Sequence, residues 1–144
     1  MAAIRFYSEH PSFTFRGKGR ASRWLLALIR SKQREPGSIS VVFVTDDALL
    51  EMNRKYLQHD DFTDIITFDY GTEQGGKVGG DLFISVDRAH ENATLFHVKP
   101  ADELLRLLAH GTLHLLGYQD KSSQSKQIMT AQEEEALTLY KQTQ

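Results

Sequence analysis

The sequence predicts an α+β fold, a single mixed sheet of about four strands packed with helices around a buried central helix. Three observations lead there. Strand-like and helix-like segments follow one another in the order β-α-β-α-β-β-α-α-α, which suits one sheet with helices laid against it. One helical segment, over residues 101–116, has leucine on most sides of its axis, as a helix at the centre of a core requires. The length of 144 residues supports one domain, 1–144, with a continuous core and no need of disulfide staples.

The elements are predicted in order as follows. Ile4 to Tyr7 is a short strand, closed off by Pro11. A basic loop, Arg16-Gly17-Lys18-Gly19, leads into a helix over residues 20–34, with Ala21, Trp24, Leu25 and Leu28 on one face and Arg23, Arg30 and Arg34 aligned on the other. Pro36-Gly37 is expected to stop that helix. The β-branched and aromatic run Ile39 to Val44 is a strand. Thr45, Asp46 and Asp47 supply N-cap chemistry for a helix over 47–57 whose inward residues are Leu49, Met52, Tyr56 and Leu57. Asn53 falls on the same face, so its amide is expected to bond neighbouring backbone. Ile65 to Phe68 is the next strand, and Gly71 to Gly76 reads as a mobile hairpin loop. Val78 to Val86 alternates, with Val78, Gly80, Leu82, Ile84 and Val86 on one side, and its glycine pair points to a bulge or a close backbone approach. A helix over 87–96 continues the apolar face through Ala89, Ala93 and Phe96. Pro100 and Asp102 open the central helix. A last helix over 124–141 turns Ile128, Met129, Ala136, Leu139 and Tyr140 inward and leaves Glu133, Glu134 and Glu135 mostly outside.

Composition narrows the chemistry. There is no cysteine, which excludes thiolate metal sites, catalytic thiols and disulfides. No apolar run approaches the roughly 18–20 residues of a membrane span and the N-terminus has no signal-peptide core, so no membrane partner and a cytoplasmic location are expected. The net charge of −2 hides a basic first quarter. Residues 1–36 carry Arg5, Arg16, Lys18, Arg20, Arg23, Arg30, Lys32 and Arg34 against Glu9 and Glu35. That segregation suits a polyanionic partner, with Arg23, Arg30 and Arg34 as its ridge.

The central helix carries the chemistry. His110 and His114 are four residues apart, hence on one face, and Gly117 can end the helix so that the turn brings Asp120 back to them. Two imidazoles and a carboxylate can hold one divalent metal, zinc before nickel, cobalt or manganese, with a position left open for catalysis. A zinc peptidase of the common kind has Glu directly after its first ligand histidine, whereas this chain has Gly111. Glu103 lies on the same line and could orient an imidazole, although a solvated first-turn Glu is the simpler expectation. His59, His90 and His97 are expected at the surface.

The run His-Gly-Thr-Leu-His-Leu-Leu-Gly-Tyr at 110–118 resembles the signature of the YbeY family, bacterial metal-dependent endoribonucleases and ribosomal RNA maturation factors. The similarity extends to Met52-Asn53, Tyr56, Asp60, Thr63 to Phe68 and Gly80 to Ser85. The resemblance implies one zinc ion per chain, a single-strand-specific endoribonuclease acting near the 3′ end of 16S ribosomal RNA, and ribosome quality control on the small subunit. The family's usual third ligand is a histidine where this chain has Asp120, which would make the ion a weaker Lewis acid. It also commonly has Arg after the tyrosine, where this chain has Leu57. The implied reaction is metal-assisted phosphodiester cleavage with the basic ridge holding the backbone. No general base is identified. Asp64 and Asp81 are nearest by motif, and each reads more simply as a turn cap or strand-end anchor. The competing class is a non-catalytic assembly factor with a structural metal, and a monomer is the default.

Overall fold

The computed structural model describes residues 3–71 and 75–144. Its elements run β1 (Ala3–Ser8), α1 (Lys18–Ser31), β2 (Pro36–Val44), α2 (Asp46–Leu57), β3 (Ile65–Asp69), β4 (Val78–Ser85), α3 (Val86–Phe96), α4 (Pro100–Leu115) and α5 (Ser123–Gln142). The order is the predicted one, in a single four-stranded mixed sheet β1-β2-β4-β3. β1, β2 and β4 are parallel and the edge strand β3 is antiparallel to β4. The loop expected over Gly71 to Gly76 lies partly outside the described residues, as do Met1 and Ala2.

Alternation along the strands sorts side chains into two cores. Ile39, Val41 and Phe43 of β2 and Leu82 and Ile84 of β4 join Trp24, Leu25, Ile29, Leu107 and Leu108 in the main core under α1, α4 and α5. Val44 and Ile66, with Val42 and Phe83 packed on them, face Leu49 of α2 in a smaller second core. Register keeps each set together: Val41 opposes Leu82, and Ile66 opposes Phe83. Trp24 is buried and donates its indole N–H to the Ala136 carbonyl at 2.7 Å, which fixes α1 against α5.

The structure corrects several boundaries and faces. α1 stops at Ser31 rather than 34, with Gln33 left-handed at φ 63°, and Pro36-Gly37 open β2 instead of closing the helix. Tyr56 and Leu57, expected inward, are exposed. The second core reaches only the earlier turns of α2, so its last turn overhangs the edge strand. Phe96 and Ile128 are exposed as well, and Glu133 is buried. Asn53 donates to the Asp61 carbonyl at 2.7 Å, as its position predicts.

Close approach places α4. A Cβ on Gly111 would lie 2.8 Å from a Leu82 methyl and 2.9 Å from the Ile65 δ-methyl. A Cβ on Gly80 would lie 2.2 Å from the Phe68 carbonyl oxygen and 2.7 Å from a Leu115 methyl. The absent side chains let α4 sit directly on β3 and β4. The extra residue of the sheet lies in β2, between Pro36 and Ile39 opposite Val78 and Gly80. Among the described residues no helix is long and apolar enough to cross a membrane.

Candidate metal centre

His110 and His114 stand on the last turns of α4, on the side turned towards α5 and the loop after the helix. The helix ends in a glycine turn: Tyr118 N–H reaches back to the Leu113 carbonyl at 3.0 Å and Gly117 takes φ 102°, a conformation that favours glycine. The chain thereby reverses and carries Asp120 over the imidazoles. Ser122 then starts α5 with a capping box shared with Ser125, fixing the length of the turn.

Each ring is oriented by its second nitrogen. His110 Nδ1 donates to Glu133 Oε2 at 2.6 Å, and His114 Nδ1 donates to the Tyr118 carbonyl at 2.9 Å. A carboxylate and a carbonyl can only accept, so in the neutral rings both Nε2 atoms are bare lone pairs. Those lone pairs face one another at 3.0 Å, with Asp120 Oδ2 at 3.3 Å from each. Three acceptors converging on one point repel unless a cation lies among them. The spacings also fit: ligands at about 2.0–2.1 Å around tetrahedral zinc stand roughly 3.3–3.4 Å apart. His110, His114 and Asp120 are thus a group that could hold a metal ion.

Behind the rings lies a charge network built on two buried glutamates, Glu103 and Glu133. Arg106 makes a two-pronged pair with Glu103, Nε to Oε1 at 2.8 Å and a terminal nitrogen to Oε2 at 2.7 Å, and its other terminal nitrogen reaches Glu133 Oε1 at 3.1 Å. Hydrogen bonding to Glu103, then the charges of Glu103 and Glu133, hold the guanidinium pKa above its ordinary value against the cost of burial. Asn92 bridges Glu103 at 3.2 Å and Asp64 at 3.0 Å. Glu103 is therefore buried, not solvated, and bonds Arg106 and Asn92 rather than an imidazole. Sequence reasoning missed Glu133, whose signal was its helical spacing from Met129, Ala136 and Tyr140 on the inner face of α5.

The three residues open onto a cavity of about 550 Å³ whose walls include Leu57, Thr63, Asp64, Thr67, Asp69 and Lys121. Asp64 reaches this cavity, while Asp81 accepts a hydrogen bond from the Tyr70 hydroxyl and is not among its lining residues. His59, His90 and His97 are exposed. None of Arg23, Arg30 and Arg34 lines the cavity. Arg23 holds the Gln144 carbonyl at 2.6 Å and 2.8 Å, Arg30 is exposed on the last turn of α1, and Arg34 lies beyond that helix. Among the described lining residues the cation is Lys121, on the turn itself.

A sequence profile described as endoribonuclease YbeY matches residues 8–141. A protein of that name from Cytophaga hutchinsonii is 43% identical over 138 residues, 96% of each chain. Its namesake from Parabacteroides distasonis is 43% identical over 137 residues, 95% of each chain. The Bacteroides fragilis protein of the same name is 39% identical over 140 residues, covering 97% of this chain and 99% of that one. A solution structure from Thermotoga maritima superposes with a TM-score of 0.67 at 22% identity, covering 96% of this chain and 89% of that one, and so shares its fold.

Proposed function

The chain belongs to the endoribonuclease YbeY family, a hydrolase family, and from that premise we propose that it cuts single-stranded RNA in 16S ribosomal RNA 3′-end maturation and ribosome quality control. In this reading one zinc ion is held by His110, His114 and Asp120, the substrate is the RNA of the small ribosomal subunit, and the protein works as a cytoplasmic monomer. The observation that carries it is the convergence of two bare imidazole nitrogens and a carboxylate oxygen, 3.0 Å to 3.3 Å apart, at the wall of an open cavity.

When bound, the zinc supplies Lewis-acid polarisation of a phosphoryl oxygen and acidifies water. The chain's own residues do the rest. Glu133 and the Tyr118 carbonyl keep both Nδ1 protons in place, so the two Nε2 atoms are presented without reorganisation. Asp120 contributes a negative charge that two neutral imidazoles do not, and this tempers the Lewis acidity relative to three imidazoles. Lys121 is placed to pair with a phosphate entering the cavity, in the role that Leu57 cannot fill. Arg23, Arg30 and Arg34 would then serve RNA further from the cut. Gly111 leaves no room for the glutamate of a zinc peptidase, since even a Cβ there meets Leu82 and Ile65.

The test compares wild type and His114→Ala, purified without a histidine tag, on ribosomal RNA fragments, alongside metal analysis of both. Zinc near one equivalent with cleavage lost in the variant is expected. Equal cleavage by the two proteins would overturn the reading. Charge reversal of Arg23, Arg30 and Arg34 examines the ridge, and an unchanged salt slope of RNA binding would remove it.

A further inference from the structure

We infer that Tyr56 and Phe62 are stacking platforms for unpaired bases on either side of the phosphate that enters the cavity at His110, His114 and Asp120. The inference rests on the single-strand endoribonuclease reading and names how the substrate is gripped. Helical periodicity assigns Tyr56 and Leu57 to the core, yet they are 56% and 44% exposed, and Phe62 is 50% exposed. Surface-standing apolar groups of this size, gathered within seven residues, have a reason other than packing.

Their position supplies it. Leu57 and Thr63 line the metal-bearing cavity, so Tyr56 and Phe62 each adjoin a lining residue. Tyr56 sits edge-on to Phe68, ring centroids 5.9 Å apart at 85°, on the α2 side of the edge strand β3, whose alternate residues Thr67 and Asp69 line the cavity from the other face. The Arg88 guanidinium covers Phe62 at 5.1 Å from the ring centroid and is itself paired with Asp46 at 2.8 Å. Both rings are thus steadied by a neighbour while staying half open to solvent, which lowers the entropy lost when a base stacks on them.

Charge points the same way. The loop and strand around the cavity carry Asp60, Asp61, Asp64 and Asp69, Arg54 is tied to Asp60, and Lys121 is the lining cation. Coulombic capture of a phosphate backbone is weak at such a rim. Affinity beside the cut must come from the base faces, which a duplex keeps stacked internally and a single strand presents.

The experiment uses the zinc-loaded full chain and a single-stranded 2′-O-methyl oligonucleotide of about 12 nucleotides carrying 2-aminopurine, with a matched abasic version. Tyr56→Leu and Phe62→Leu are each expected to weaken binding roughly 5- to 100-fold and to remove the fluorescence quench, with the salt slope unchanged. Tyr56→Phe and Phe62→Tyr should keep wild-type affinity, as should Leu95→Ala, an exposed apolar group outside the cavity. The abasic strand should bind wild type weakly and lose nothing further in the leucine variants. Equal affinity of wild type and leucine variants, or the same loss on the abasic strand, overturns the proposal. So does sedimentation showing a wild-type dimer that Phe62→Leu dissociates without changing RNA affinity, since the rings would then serve a second copy. Ring-dependent binding with no zinc-dependent cleavage of unmodified RNA would sink the catalytic reading and leave the platforms standing, whereas cleavage indifferent to both rings would do the reverse.

Discussion

Glu133 sets the tautomer of His110, because a carboxylate facing Nδ1 can only accept. Its carboxylate accepts a hydrogen bond from Nδ1–H at 2.6 Å while Arg106 donates to its other oxygen at 3.1 Å. Glu133→Gln keeps the shape but replaces a charged acceptor with an amide that can turn either end to the ring. Zinc affinity is expected to fall about 10- to 100-fold, read by competition with a chromophoric chelator. The half-buried Arg106 would be left short of one anion, so a lower melting temperature should accompany the loss. Gly111→Ala tests a different residue-scale constraint. The added methyl meets Leu82 and Ile65 at under 3 Å, and overpacking of this kind costs about 1–3 kcal/mol in chemical denaturation.

The elements matter through their ends. α4 delivers the two histidines, but the turn from Gly117 to Ser122 decides where Asp120 lands. Ser122→Ala removes one half of the capping box and should cost about 1 kcal/mol of stability. Because the cap fixes the start of α5, it should also weaken zinc binding, although Ser122 is not one of the three converging ligands. The start of α3 is pinned in another way. Burial pushes the Asp87 carboxyl up, but the hydrogen bond from His10 and the backbone N–H of Asp46 outweigh it and hold the pKa below the ordinary value. A depressed carboxyl pKa contributes stability above its unfolded value and loses it as pH falls through the folded one. Asp87→Asn should therefore flatten the acid limb of the stability curve, with the two proteins converging at the lowest pH, as urea titrations across that range would record.

At the scale of the whole molecule, a metal ion held by His110, His114 and Asp120 would be linked to the fold. Three acceptors held together without a cation repel, so chelation should lower the melting temperature, and zinc at about 100 times its Kd should restore about 2.7 kcal/mol. The restoration should shrink on acidification, because the imidazoles must be deprotonated to bind. The amino-acid sequence determined the element order, the leucine-wrapped α4 and the His110, His114 and Asp120 set, because periodicity and spacing within one segment fix which side chains share a face. It also pointed to the family, through a signature contiguous in the chain. Tertiary structure alone decided what lies opposite each face and where that opposing surface ends. Glu133 is acidic in a run of three glutamates and looked solvated, until packing of α5 on α4 put it against His110. Arg34 shares a face with Arg23 and Arg30 only in a helix that runs on to residue 34, and α1 ends at Ser31. Tyr56 and Leu57 have the spacing of core residues, but the second core ends before the last turn of α2 does, and the same pattern that buries Leu49 leaves both exposed, with Leu57 in the wall of the cavity at His110, His114 and Asp120. A helix's own sequence encodes its apolar stripe and not the extent of the surface that covers it.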